Sequence, residues 1–141
     1  MSKKQIRQAL KLPTFLNKYG DMSDKKIDRG FYCSFNQLTS LEGAPKEVDG
    51  YFSCSYNQLT SLEGTPKKAG GYFSCSSNQL TSLEGSPKEV GGWFDCSYNQ
   101  LTSLEGAPKK VGGYFSCYNN PGKFTEEDVR KVCKVKGKIY V

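Results

Sequence analysis

The chain repeats nearly the same 21-residue sequence, and this repetition limits its fold more than any other feature. The clearest copy, residues 51–71, reads YFSCSYNQLTSLEGTPKKAGG. The chain contains four such copies and the beginning of a fifth. One cysteine per copy keeps the 21-residue step: Cys33, Cys54, Cys75, Cys96 and Cys117. Such a period is typical of a solenoid, in which each turn buries its apolar face against its neighbours. A chain of 141 residues is long enough for one such domain and too short for a separate catalytic domain.

Each repeat contains the pattern of a short strand followed by a turn. Ser53 separates Phe52 from Cys54, and this alternation predicts a strand with one buried face. The following asparagine tolerates a tight turn and can both donate and accept hydrogen bonds. We therefore expect one asparagine per turn to bridge the backbone groups of consecutive turns. These residues are Asn36, Asn57, Asn78, Asn99 and Asn120.

The second half of each repeat is expected to return the chain along the opposite side. Leu62 faces back into the core, and Gly64 and Pro66 turn the chain. The range Gly70–Gly71 lets the chain bend into the next strand. The last inward contact of the turns is assigned to Val48, Ala69, Val90 and Val111.

The strand and its asparagine resemble the core of leucine-rich repeats. FSCSYNQL is similar to the pattern LxLxxNxL, with Phe52 and Cys54 at the strand leucine positions and Asn57 as the ladder asparagine. The resemblance covers residues 31–120 and implies an α/β repeat fold, a short leucine-rich-repeat solenoid of about five turns with a parallel β-ribbon. The sequence departs from the common repeat at the first leucine position, which holds Asp49, Gly70, Gly91 and Gly112.

The longer pattern CSxNQLTSLEGxPKxVGGxFxC also looks like short 21-residue leucine-rich-repeat proteins of tailed bacteriophages. This resemblance implies a phage product that works in the cytosol of the host bacterium. The first residues contain no apolar run long enough for a signal peptide, and no stretch approaches the length of a membrane helix. We therefore expect a cytoplasmic protein with reduced thiols and no membrane partner.

The segments outside the repeats are expected to cap the solenoid, because its first and last turns would otherwise leave an open core. Residues 1–30 are predicted to form an N-terminal helical cap and loop, with a helix from Ser2 through Ala9 and Leu10, and a second turn from Thr14 to Gly20. Residues 21–29 are predicted to be a polar loop. Residues 121–141 are predicted to form a C-terminal cap with a helix after Thr125 and a final strand.

Positive charge is concentrated at the two ends. Residues 1–30 carry eight basic and three acidic residues, a net +5, whereas residues 31–113 carry six and eight, a net −2. Residues 114–141 carry six and three, a net +3. This distribution argues against a uniformly basic nucleic-acid groove and leaves open two basic end patches. The patches are Lys3, Lys4, Arg7 and Lys11 at one end, and Arg130, Lys131, Lys134, Lys136 and Lys138 at the other.

The sequence offers little catalytic equipment. It contains no histidine, so the usual general base and the commonest metal ligand are both missing. The repeated cysteines never form a CxxC pair, and SLEGAPKK lacks the spacing of a phosphate loop. We therefore expect no enzyme activity, no cofactor, no metal site and no small-molecule substrate.

The exposed face of the strands is the most distinctive surface feature. If Phe52 and Cys54 point inward, large aromatic residues form two outward columns with small serines between them. The first column is Tyr51, Tyr72, Trp93 and Tyr114, and the second is Phe35, Tyr56, Tyr98 and Tyr118. Rigid aromatic rings beside small polar groups make good contact surfaces, although stacking alone would also explain the columns. Departures from the consensus, at which specificity would be encoded, are Ser77, Trp93 and Asp95.

These observations predict a non-enzymatic protein-binding module whose partner-binding residues are Tyr51, Tyr56, Tyr72, Ser77, Trp93, Asp95, Tyr98, Tyr114 and Tyr118. The family resemblance implies a phage protein that binds and inhibits or redirects a host protein, with an anti-phage defence protein as one candidate. Three alternatives stay open. The caps would bind nucleic acid, the chain would be a virion or assembly component, or the repeats would only hold the two caps apart. Self-association through the same face is also compatible with the sequence.

Overall fold

A computed structural model describes residues 1–3, 5–6 and 12–141 of the chain. In this part the chain winds into a β-solenoid in which each turn contributes one short strand to each of two parallel six-stranded sheets. The predicted solenoid of parallel strands with a cap at each end is confirmed. Equivalent residues of successive turns pair directly, for example Phe52 with Phe73 and Phe73 with Phe94.

The strands are two residues long and alternate between the sheets along the chain. In chain order they are β1 (Lys26–Ile27), β2 (Phe31–Tyr32), β3 (Glu47–Val48), β4 (Phe52–Ser53), β5 (Lys68–Ala69), β6 (Phe73–Ser74), β7 (Glu89–Val90), β8 (Phe94–Asp95), β9 (Lys110–Val111), β10 (Phe115–Ser116), β11 (Lys134–Val135) and β12 (Ile139–Tyr140). The even-numbered strands form the front sheet, and the odd-numbered strands form the rear sheet. The sequence indicated only the front sheet; Val48 and its equivalents, expected to make a last inward contact, lie in the rear sheet.

The core consists of ladders of identical or similar side chains stacked along the solenoid. Phe52, Cys54, Leu59 and Leu62 are each fully buried, as are their equivalents in the next turn. The inner phenylalanine rings of β4, β6 and β8 stack at centroid distances of 5.8 and 5.7 Å. Burial of one such side chain contributes about 1.5–3 kcal/mol. The predicted inward positions of the repeat are therefore confirmed.

The predicted asparagine ladder is present, and each of its inner members connects two successive turns. The Asn78 Nδ2 group donates to the carbonyl oxygens of Cys54 and Cys75 at 3.0 and 3.1 Å. Its Oδ1 atom accepts the backbone N–H of Leu59 at 3.0 Å. Asn57 and Asn99 make the equivalent bonds one turn earlier and one turn later. These amides satisfy backbone groups that the two-residue strands leave unpaired.

The glycines at the first leucine position are explained by the approach of one turn to the next. A Cβ atom at Gly91 would lie 2.1 Å from the carbonyl oxygen of Gly70, and one at Gly70 would lie 2.2 Å from that of Asp49. No side chain fits between backbones this close. The departure from the leucine pattern therefore reflects a corner between the rear and front sheets, where backbone stacks directly on backbone.

The first turn is covered by helix α1 (Phe15–Tyr19), whose N-cap Thr14 and C-cap Gly20 are the residues predicted to bound it. Thr14 caps the helix through a hydrogen bond from the Asn17 N–H, and the Phe15 ring contacts the Phe31 ring at 5.1 Å. Ser2 and Gln5 make reciprocal hydrogen bonds at the start of the chain. The predicted continuation of the first helix through Ala9 and Leu10 lies outside the described residues.

Residues 21–29, predicted to be a loop, contain a strand. Strand β1 pairs with β3 in the rear sheet, with Ile27 opposite Val48. The polar sequence hid this strand because Ile27 is the only apolar residue of the strand itself. The solenoid therefore begins before the predicted boundary at residue 31.

The last turn is covered by helix α2 (Glu126–Val132) and the strands on either side of the following bend. Thr125 and Asp128 form a capping box, as expected from a threonine before three acidic residues. Val129 and Cys133 are buried under the last turn. The predicted final strand is present as β12, which pairs with β10 and covers the edge of the front sheet.

Candidate protein-binding face

The outward residues of the front sheet form a first aromatic column that is continuous and partly closed to solvent. Neighbouring rings of Tyr51, Tyr72, Trp93 and Tyr114 are stacked within 10° of parallel, at centroid distances of 4.9, 4.1 and 5.3 Å. Tyr140 closes the column with an edge-on contact to Tyr114. Partial burial raises the pKa of the phenols of Tyr72 and Tyr114. Each ring stacks its faces on the neighbouring rings of this column. A partner could therefore contact mainly the ring edges and the hydroxyl groups.

The serines between the two columns point outward but are shielded from water. Ser53, Ser55 and Ser74 are each 5% exposed, and Ser97 is fully buried. Their hydroxyl groups bond to one another across turns, as between Ser97 and Ser116 at 2.7 Å. The prediction that the serines belong to an open surface is therefore wrong.

The residue before each ladder asparagine has a left-handed backbone, and these residues form the left-handed column. Their φ angles lie between 54° and 58°. The members are Phe35, Tyr56, Ser77, Tyr98 and Asn119. This conformation is uncommon outside glycine and asparagine, and for a bulky residue it is a genuine outlier. The sequence assigned the tight turn to the asparagine itself, whereas the preceding residue adopts it.

The aromatic members of the left-handed column are the most exposed of the predicted rings. Phe35, Tyr56 and Tyr98 have 65%, 54% and 52% of their surface in solvent. The rings of Phe35 and Tyr56 stack face to face at 4.4 Å with an interplanar angle of 8°. The next turn has Ser77 at this position, so the stack stops there, and Tyr98 is the next ring in the column.

Tyr118 does not belong to the second column, in which the sequence interpretation placed it. One 21-residue step from Tyr98 leads to Asn119, and Asn119 shares the left-handed backbone of the column. Tyr118 lies one residue earlier, at the position of Ser97. Its ring meets Tyr98 edge-on at 5.3 Å, with an interplanar angle of 76°. Tyr118 and Tyr98 are both tyrosines near the end of a strand, but Tyr118 does not keep the 21-residue period of the column.

Asp95 carries the only charge of the repeated strand face. It replaces the serine that occupies this position in the flanking strands, and it pairs in register with Ser74 and Ser116. Its Oδ1 atom accepts the backbone N–H of Ser97 at 2.9 Å. The negative charge also contributes to the raised pKa of Tyr114 and Tyr118, after the larger effect of desolvation.

Two further exposed tyrosines border the face and were not predicted. Tyr32 is paired with Ser53 at the first turn, and Tyr140 is paired with Ser116 at the last turn. Tyr32 could have been found, because it precedes Ser53 by one period of 21 residues. Tyr140 follows Ser116 by 24 residues, so counting by the period could not find it.

The thiols belong to the buried interior of the solenoid. All six cysteines are free and buried, and the Cys54 and Cys96 thiols donate to carbonyl oxygens of the following turn at 3.4 and 3.3 Å. Burial raises the pKa of Cys33 to about 12 and those of Cys117 and Cys133 to about 11. A neutral thiol is neither a nucleophile nor a metal ligand. Within residues 1–3, 5–6 and 12–141, no group of three metal-ligating side chains is close enough to hold an ion.

Comparison with known proteins gives no family and no relative. No model of a protein family matches the chain, and neither a curated protein nor a solved structure is significantly similar to it. In the part of the chain that the structure describes, no helix combines the length and apolarity needed to cross a bilayer. The strand face itself is therefore the main indication of function.

Proposed function

We propose that the chain is a non-enzymatic protein-binding module that uses the strand face, and the left-handed column above all, to hold a partner protein. The observation that carries this proposal is the pair of exposed tyrosines, Tyr56 and Tyr98, held on a left-handed backbone. Such a backbone costs about 1–2 kcal/mol for a residue with a Cβ atom. Large rings that are both exposed and conformationally unfavourable do not serve stability, and strained residues of this kind concentrate at functional sites.

The first column supports the same proposal in a different way. Its stacked rings form a rigid wall beside the left-handed column, and rigid aromatic surfaces lose little conformational entropy when a partner binds. Interfaces are enriched in tyrosine and tryptophan and depleted of charge at their centre. The strand face matches both preferences, because Asp95 is its single charged residue between Tyr51 and Asn119.

The biological setting follows from the family resemblance alone. We infer a phage protein that acts in the bacterial cytosol and inhibits or redirects a host protein, with a component of anti-phage defence as the leading candidate. The lack of histidine and the neutral, buried thiols favour binding over catalysis.

The test is affinity capture with the complete chain as bait in lysates of bacteria, with and without phage infection, followed by quantitative mass spectrometry. The double variant Tyr56→Asn and Tyr98→Asn removes both rings and leaves a residue that accepts the left-handed backbone. We expect the partner to be lost with this variant and retained with Glu63→Ser, a control on the exposed loop. Equal recovery by all three baits would exclude the strand face as the binding site.

Nucleic-acid binding through the basic ends is the second candidate, and one observation favours it. Lys134 lies in register with Lys110 in the rear sheet, so two like charges are adjacent where the other pairs compensate, as in the ion pair Lys68–Glu89 at 3.9 Å. An anionic partner would relieve this repulsion. This function predicts a gel shift that weakens steeply with salt. The absence of any shift at low salt would dismiss it, and recovery of the chain in purified phage particles would instead indicate a virion component.

A further inference from the structure

The interruption of the left-handed column at Ser77 leaves a gap the size of one aromatic ring. Tyr56 and Tyr98 are two turns apart, and two strand spacings amount to about 9.6 Å. Where adjacent turns both carry a ring, one spacing holds one stacked pair, as for Phe35 and Tyr56 at 4.4 Å. One further planar ring between Tyr56 and Tyr98 would therefore lie at stacking distance from both.

The two walls of this gap are supported from behind. Phe35 stacks on the Tyr56 ring from the preceding turn, and Tyr118 makes an edge-on contact with the Tyr98 ring from the following turn. The backbones of Tyr56 and Tyr98 have φ angles of 54° and 56°, so both side chains leave the chain in the same direction. The floor is Ser77, which is half-buried, and Ser76, whose hydroxyl group is bonded to Ser55 at 3.1 Å. The gap is a preformed slot with aromatic sides.

The charges around the slot discriminate between occupants. Asp95 lies one turn beyond Ser74, on the Tyr98 side of the slot, and no lysine or arginine occurs in residues 72–77, 93–98 or 114–119. A nucleotide inserted here would bring its phosphate to a surface that has no cation. Sites that bind nucleic acids usually provide positive charge for the phosphate. A basic side chain next to an inserted ring would instead be attracted by the Asp95 carboxylate.

We propose that the slot between Tyr56 and Tyr98 receives an aromatic side chain of the partner protein, with a basic residue beside it in the partner sequence. This inference rests on the proposed function and makes it more specific. It explains why Ser77 departs from the repeat: a tyrosine there would complete the column and leave no room for the partner's ring.

The test uses the isotope-labelled full chain and a defined peptide, acetyl-Gly-Lys-Trp-Lys-Gly-amide, titrated by NMR. We expect shifts at the Ser77 amide and at the Tyr56 and Tyr98 ring protons, and affinity about tenfold above that of the same peptide with Leu for Trp. Ser77→Tyr fills the slot with the repeat's own residue, and we expect it to lower the affinity for the Trp peptide by about tenfold. Ser77→Gly leaves the slot open as a matched control and should stay within about twofold of the natural chain.

Each other outcome would overturn the proposal. Tighter binding of adenosine monophosphate than of the peptide would identify a base-stacking site, and shifts that depend on protein concentration without peptide would indicate a second copy in the slot. Equal affinity of the Ser77→Tyr variant would place the ring elsewhere. If Ser77→Tyr still captures the cellular partner while the Tyr56→Asn and Tyr98→Asn variant does not, the slot fails and the proposed function stands.

Discussion

At the scale of single residues, the ladder asparagine does the work that longer strands do in other sheets. Strands of two residues leave many backbone groups without a partner, and Asn78 serves three of them from one side chain. Its amide is buried, so water cannot take its place as the partner of these backbone groups. The repeat therefore depends on a polar residue in its interior as much as on its phenylalanine and leucine.

Replacement of Asn78 by alanine is expected to lower the free energy of unfolding by about 2–4 kcal/mol, because several buried backbone groups lose their partner at once. The measurement is urea unfolding followed by circular dichroism. Asn120→Ala is the matched control, since the same ladder residue at the last turn is only half-buried and water can replace its bonds. An equal loss for both variants would contradict the role assigned to burial.

At the scale of elements, the corner between the two sheets sets how closely the turns stack. The corner glycines allow carbonyl oxygens of one turn to lie where the next would place a side chain. This contact explains why a valine or alanine one residue earlier supplies the apolar contact that leucine supplies in the common repeat. The geometry of the corner follows from backbone atoms, which a sequence pattern of side chains does not display.

Gly91→Ala is expected to destabilise the protein by about 2–3 kcal/mol, because its Cβ atom would overlap a backbone carbonyl that has no freedom to move. Thermal and urea unfolding measure the change. Asp49→Ala is the control at the equivalent corner of the first turn, where a side chain is already present. It should lose only the contribution of the exposed ion pair with Lys26, which is below about 1 kcal/mol. Similar values for both variants would refute the close contact.

Much of the architecture could be predicted from the sequence because the repeat shows it several times. The inward phenylalanine and cysteine, the asparagine ladder and both capping elements followed from alternation, turn chemistry and helix capping. The rear sheet was missed because a rear strand such as Lys68–Ala69 has a single apolar residue followed by glycine, whereas apolar and polar residues alternate along the front segment Phe52–Cys54. Of the candidate site, the first aromatic column and the rings of Phe35, Tyr56 and Tyr98 in the second were predicted, whereas the burial of the serines and the left-handed backbone depend on packing that no local pattern records.

At the scale of the whole molecule, the stacked thiols are expected to make the free energy of unfolding decrease at alkaline pH. Cys54, Cys75 and Cys96 are fully buried, and burial raises the pKa of each thiol well above its ordinary value. In the unfolded chain these thiols ionise near pH 8.5. Below that pH both states hold the same protons, so this source leaves stability unchanged. Above it only the unfolded chain releases protons, and unfolding becomes easier as pH rises.

We therefore expect the free energy of unfolding to fall between about pH 8.5 and 10 with a slope near 1.4 kcal/mol per pH unit for each buried thiol. Urea unfolding under reducing conditions at several pH values measures the slope. The variant Cys75→Ala and Cys96→Ala should be less stable at pH 7 and should lose less stability over this range. Parallel curves for the two proteins would exclude the thiols as the cause.

Because the repeats are nearly identical, they do not by themselves fix the register in which the turns stack, and the two ends of the chain must fix it. Because Phe52, Phe73 and Phe94 occupy the same place in consecutive turns, a chain that slipped by one full coil while folding would rebuild almost the same interior. Such an offset would be opposed at the termini, where Phe15 packs on Phe31 of the first turn and where β12 pairs with β10 after 24 residues instead of 21. The terminal segments thus determine which of the otherwise interchangeable turns comes first.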